Sequence, residues 1–161
     1  MSDSTKLAPC ADGGHELRRG GQVVGRLGAA GRQAHAEAGG ERWGLALHRD
    51  PDRDDGAWQV LALNAAGEQA ASYYHGGIRG GRFRAADGTA GTLRRALGLG
   101  ADWRVRTTDC ALTLRPSATA AGGELELEYV TGSVAPADLV LLLVCWCVLT
   151  EEQIEPPRPA H

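Results

Sequence analysis

The chain has 161 residues and a formal net charge of −3. That length suits one domain with a real core, and the near-balanced charge lacks the basic excess of a nucleic-acid binder. The polar N-terminus has no apolar stretch of the kind a secretory signal needs, and 23 glycines without a collagen repeat point to many tight turns.

In chain order, residues 1–14 read as a disordered tail. Glu16 to Arg19 and Gln22 to Leu27 flank Gly20-Gly21, a hairpin signal. Gln33 to Ala38 leads through Gly39-Gly40 into 42–49. There Trp43, Leu45 and Leu47 alternate with Arg42, Gly44, Ala46 and His48, as in a half-buried strand. Residues 50–56 (DPDRDDG) form a solvated loop. Trp58 to Leu63 is apolar on both faces and reads as a more central strand. Asn64 to Gly67 is a turn, and Gln69 to His75 is a strand ending at Gly76-Gly77.

Ile78 to Arg84 follows. Ile78 and Phe83 have opposite parity although both are apolar, so a β-bulge is expected at Gly80-Gly81. Ala86-Asp87-Gly88 is a turn, and Thr92 to Leu97 fits a strand or a helical turn. Trp103 and Val105 alternate with Arg104 and Arg106. Leu112 and Leu114 alternate with Thr113 and Arg115. Leu125, Leu127 and Tyr129 alternate with Glu124, Glu126 and Glu128. This makes ten or eleven short strands at close spacing, the habit of a barrel or sandwich.

Residues 136–153 break the pattern. Leu139 to Leu149 is unbroken apolar, Pro136 suits the first helical position, and Asp138 suits the positive end of a helix dipole. Eleven residues of helix span about 16 Å, against about 30 Å of bilayer hydrocarbon. No Lys or Arg flanks the run. A helix apolar on every side must therefore be surrounded by protein, and a sheet closed around it is the economical solution. The expected fold is mainly β: a closed antiparallel β-barrel of 10–12 strands around one C-terminal hydrophobic α-helix. The barrel domain covers 15–153, and 154–161 is a second disordered tail.

The segments ADLVLLLV at 137–144, GRFRAADGTAGTL at 81–93 and HELRRGGQVVGRL at 15–27 carry a family resemblance. Together with the order of elements, they resemble the tubby C-terminal-like superfamily, which includes scramblase-like and LURP-one-related barrels. The resemblance implies a closed barrel of about twelve strands threaded by a hydrophobic C-terminal helix. It does not bring the family's chemistry with it. Tubby proteins bind phosphoinositides through basic residues including Lys, and the single lysine, Lys6, matches none of them. The palmitoylated cysteines and acidic calcium segment of scramblases have no counterpart either.

Chemistry-bearing residues are sparse. Arg79, Arg82, Arg84, Arg94, Arg95, Arg104 and Arg106 cluster between positions 79 and 106, accompanied only by Asp87 and Asp102. Alternation with Phe83, Trp103 and Val105 turns Arg82, Arg84, Arg104 and Arg106 outward. Such a face can hold anions bidentately, unless Glu124, Glu126 and Glu128 neutralise it across strands. Tyr73, Tyr74 and His75 form the best enzyme-like spot, as acid–base groups in a pocket. The competing reading is a strand end with an aromatic in the core and a histidine at the rim. Cys10, Cys110, Cys145 and Cys147 fit neither a disulfide framework nor zinc spacing. Cys145 and Cys147 point about 200° apart on a helix. They read as reduced thiols in a cytoplasmic protein. The five histidines show no metal-ligand spacing, and neither a metal nor another cofactor is expected.

The expected function is a non-catalytic binding module whose arginine face meets an anionic lipid surface, an acidic protein or a small anion. No nucleic acid and no transmembrane span are expected, and oligomeric state is open. Two alternatives stand beside it. One is a ligand-binding barrel acting on an apolar metabolite, as a cyclase-type enzyme would. The other is a structural or oligomerising domain. The helix discriminates: if it fills the barrel, no lumen is left for a ligand.

Overall fold

The computed structural model describes residues 5–11, 13–30, 33–49, 57–76, 80–96, 102–108, 110–116, 125–132 and 138–154. The strands are β1 (Thr5–Pro9), β2 (His15–Arg19), β3 (Gln22–Ala30), β4 (Gln33–Ala38), β5 (Glu41–Arg49) and β6 (Trp58–Leu63). They continue with β7 (Gln69–His75), β8 (Gly80–Ala85), β9 (Ala90–Arg95), β10 (Trp103–Thr107), β11 (Cys110–Pro116) and β12 (Leu125–Gly132). One helix, α1 (Asp138–Ile154), ends the described chain.

Each strand pairs antiparallel with its sequence neighbours, and β1 pairs with β12 to close the ring. Closure removes every strand edge. Two of the hairpin turns are glycine pairs with both φ angles positive: Gly20 (60°) and Gly21 (83°), and Gly39 (59°) and Gly40 (81°). Positive φ at both turn residues matches the twist of the flanking strands, and glycine adopts it without steric cost.

Inward positions alternate along the strands as the pleat requires. Leu17, Leu27, Leu45, Val60, Tyr73, Phe83, Leu93, Val105, Leu112 and Leu127 all face the same core. The helix occupies the middle of that core, with every residue from Leu139 to Val148 buried. Its place is set by side-chain size. It packs against β3, β4 and β7, where the inward residues of β3 and β4 include Gly25, Ala34, Ala36 and Ala38. At Gly25 a Cβ would stand 3.2 Å from Leu142 Cδ1, so the missing side chain is what admits the leucine. The opposite wall carries Phe83, Leu93, Trp103, Leu112 and Leu114, which fill the space the helix leaves. At the helix start, Asp138 accepts a hydrogen bond from Arg19 at 3.1 Å, tying the negative side chain of the first turn to β2.

Three local expectations change and one open alternative resolves. Residues 5–9, expected in a disordered tail, form β1, which brings the count to twelve, within the expected range. Its two inward side chains, Thr5 and Leu7, are too few to make a visible alternation. No bulge sits at Gly80-Gly81. β8 begins at Gly80 and runs in register with both neighbours, and Ile78 lies outside the described residues. The register shifts instead fall at Leu17/Arg18, Ala62/Leu63 and Ala111/Leu112. Residues 90–95 are strand, because β9 pairs on both sides. β6 is not central in any layered sense, and in a closed ring its outward Leu63 is exposed. Pro136 and the loop 50–56 lie outside the described residues.

Candidate functional site

The arginine face is built by three adjacent strands. Arg82 and Arg84 on β8, Arg94 on β9, and Arg104 and Arg106 on β10 are all exposed on the outer wall. Phe83, Leu93, Trp103 and Val105 take the inward positions between them. Arg95, at the end of β9, lies opposite the buried Trp103 and is exposed at the rim, apart from the other five. Arg79 lies outside the described residues.

Register decides how these charges meet. Arg82 is opposite Thr92, and Thr92 is opposite Arg106. Arg94 is directly opposite Arg104. Like charges at facing positions repel and cost stability.

The acids nearby are engaged elsewhere. Asp87 accepts a hydrogen bond from the Thr89 backbone N–H at 2.8 Å, and that bond holds its carboxyl below the usual range. Asp102 and Glu128 both reach Arg115 on β11, each at 3.4 Å. Glu126 lies opposite Arg115 on β12, and β11 stands between β12 and β10. The expected neutralisation by the β12 glutamates therefore falls on Arg115. Glu124 lies outside the described residues. Among the described residues, none of the five outward arginines on β8, β9 and β10 has an ion-pair partner. Residues 77–79 and 97–101, before β8 and β10 in the chain, contain no Asp or Glu, and Asp109, which follows β10, lies outside the described residues.

Changing Arg104 to Glu would turn the repulsive Arg94–Arg104 pair into an attractive one. The expected gain is about 1–3 °C in Tm at low salt. It should vanish at about 1 M salt, where the Debye length is near 3 Å. Thermal unfolding at two salt concentrations checks this, and an unchanged Tm at low salt would show that the two side chains do not feel each other.

The second candidate divides. Tyr73 and His75 point into the core and are fully buried, whereas Tyr74 is exposed on the other face of β7. The three cannot share a pocket. His75 is not at a rim, as expected, but stacks on Trp58 with ring centroids 4.6 Å apart and an interplanar angle of 12°. The Tyr73 hydroxyl and His75 Nδ1 share a hydrogen bond of 3.0 Å. Trp58 Nε1 has no partner among the described residues. These residues form a buried, packed aromatic cluster in the core.

Other features offer less chemistry. Three open clefts are lined wholly by described residues. The first, of about 290 Å³, includes Cys10, His15 and His35, and the second, of about 480 Å³, follows β3 and β4. The third, of about 360 Å³, lies at the mouth of the barrel beside Trp43 and the helix start. Cys145 is enclosed in the core, and burial pushes its thiol up to about 12, far from a reactive thiolate. Among the described residues, no three His, Cys, Asp or Glu side chains gather as a metal site, and no helix is long and apolar enough to cross a membrane.

Sequence reasoning missed Arg115 as the acceptor of the glutamate charge and Trp58 as the partner of His75. Both depend on cross-strand register, which no local pattern encodes. The chain matches no protein-family model, no curated protein and no solved structure.

Proposed function

We propose that this barrel is a non-catalytic binding module of the tubby or LURP-one-related type, whose β8–β9–β10 face engages an anionic ligand. The observation that carries this reading is the set of five outward arginines on three adjacent strands with no ion-pair partner among the described residues. Guanidinium groups on a fixed scaffold bind phosphate and carboxylate oxygens bidentately. The face also sacrifices stability at Arg94 and Arg104, as a site kept for binding does. The alternative reading, an apolar metabolite in a lumen, has to displace the helix that occupies the core.

The test compares wild type with a variant in which Arg82, Arg84, Arg104 and Arg106 are all changed to Ser, titrated with vesicles rich in acidic lipid. All four positions are exposed, so the variant keeps its fold. At about 1 kcal/mol per basic residue near an anionic surface, the variant is expected to bind about a thousandfold more weakly. Wild-type binding should weaken as salt rises. Equal binding by both proteins, or none by either, would remove the reading and favour a structural domain.

A further inference from the structure

We infer that the arginine face seats one compact, multiply charged oxyanion of the phosphate class directly above Thr92. This rests on the binding-module reading and adds which residues make the seat and what shape of anion it takes.

The register supplies the arrangement. Thr92 is the middle residue of a cross-strand row, with Arg82 on one side and Arg106 on the other. Neighbouring strands lie about 4.8 Å apart, so both arginines stem from positions beside the threonine. Arg94, two residues along β9, points to the same side of the sheet, and Arg104 faces Arg94 on β10. With Arg84 on β8, opposite Ala90, five long cationic side chains thus stem from a ring of positions around one short one. Thr92 is half-buried, and its hydroxyl has no hydrogen-bond partner among the described residues. Outward arginines on several sides of a central hydroxyl can present donors from several directions at once. That suits a tetrahedral oxyanion better than a planar carboxylate, which can engage only one or two of them.

The neighbouring strands limit the size of the ligand. On β7 the outward residues beside the ring are Ser72 and Tyr74, and on β11 they are Ala111 and Thr113. None is cationic, so the positive surface ends after three strands, a width of about 10 Å. An extended polyanion would leave this strip and gain no further partners. Arg84, opposite Ala90, is a diagonal neighbour of Thr92 just as Arg104 is and belongs to the ring, whereas Arg95 belongs to the rim and falls outside it. The five ring arginines and Thr92 are therefore separable from Arg95 at the rim, and that makes the inference testable.

The probe is inorganic pyrophosphate, titrated by calorimetry at low ionic strength. A parallel arm uses vesicles carrying phosphatidate, whose terminal phosphate has the same chemistry on a membrane. Saturation by pyrophosphate identifies a free-anion seat. Saturation only by phosphatidate, with the same variant ranking, identifies the same seat for a lipid-borne phosphate. Arg94→Ser and Arg106→Ser are each expected to weaken binding at least about tenfold, as loss of a charged hydrogen bond does. Thr92→Val, which keeps the shape and removes the hydroxyl, is expected to weaken it about fivefold. Arg95→Ser should change it less than about twofold, because an exposed charge at that remove is mostly screened. Equal losses for all arginine variants, or an unaltered Thr92→Val, would overturn the seat and leave a diffuse basic face. The same holds if phosphatidylserine vesicles bind while both phosphate probes fail. If neither the phosphate probes nor acidic vesicles bind wild type, the binding-module reading itself falls.

Discussion

Leu142→Asp is expected to leave no folded protein. Leu142 is completely buried in the middle of the helix and packs onto β3 where Gly25 makes room for it. A carboxylate there would have no described cation near enough to pair with, since the residues around it are apolar. Burying an unpaired charge costs several kcal/mol, and losing the leucine adds about 2–5 kcal/mol. A domain of this kind has about 5–15 kcal/mol in all. Leu142→Asp should therefore give no soluble protein with a β-rich circular dichroism spectrum, whereas Leu142→Met should fold with a modest loss. Native-like expression and unfolding of the Asp variant would mean that the helix does not sit inside the barrel.

Gly91→Ala is expected to have the next largest effect. Gly91 lies on the inner face of β9, opposite Phe83 on β8 and Thr107 on β10. A Cβ added there would land on the Arg106 carbonyl oxygen and stand 2.7 Å from Phe83 Cζ. The carbonyl belongs to the backbone and cannot rotate away, so the strands themselves must separate. Overpacking of this kind costs about 1–3 kcal/mol, and backbone displacement places Gly91 at the upper end. At about 2–4 °C per kcal/mol, Tm should fall by about 6–12 °C. Gly44→Ala is the control. Gly44 is exposed on β5, and a Cβ there meets nothing within 4 Å. Its Tm should stay unchanged or rise slightly, because alanine narrows the unfolded ensemble. Equal effects at the two glycines would show that strand propensity, not close approach, sets the cost at Gly91.

The same contrast bears on the anion seat. Gly91 draws β9 close to β10, and Thr92, the next residue, faces out between Arg82 and Arg106. The tight inner packing thus fixes the spacing of the outer arginines. A phosphate-sized ligand needs donors held in place, and rigid strands hold them better than loops.

Much of this was legible in the amino-acid sequence. Period-two alternation at Trp43, Leu45 and Leu47, or at Trp103 and Val105, is a local property that follows from the pleat. The apolar run from Leu139 to Leu149 required a helix enclosed by protein, because no face of it could be left to water. The outward direction of Arg82, Arg84, Arg104 and Arg106 followed from the same parity. Only the tertiary structure decided how these pieces meet. Thr5–Pro9 becomes a strand because β2 and β12 both offer unpaired backbone groups that must be satisfied, a demand no five-residue window displays. The helix settles against β3 and β4 because Gly25, Ala34, Ala36 and Ala38 form the low side of the barrel, and that emerges only when separate strands are laid side by side. Among the described residues, the outward arginines find no acid partner because register gives Glu128 and Asp102 to Arg115. Register between distant strands is a property of the closed ring, set by all twelve strands together.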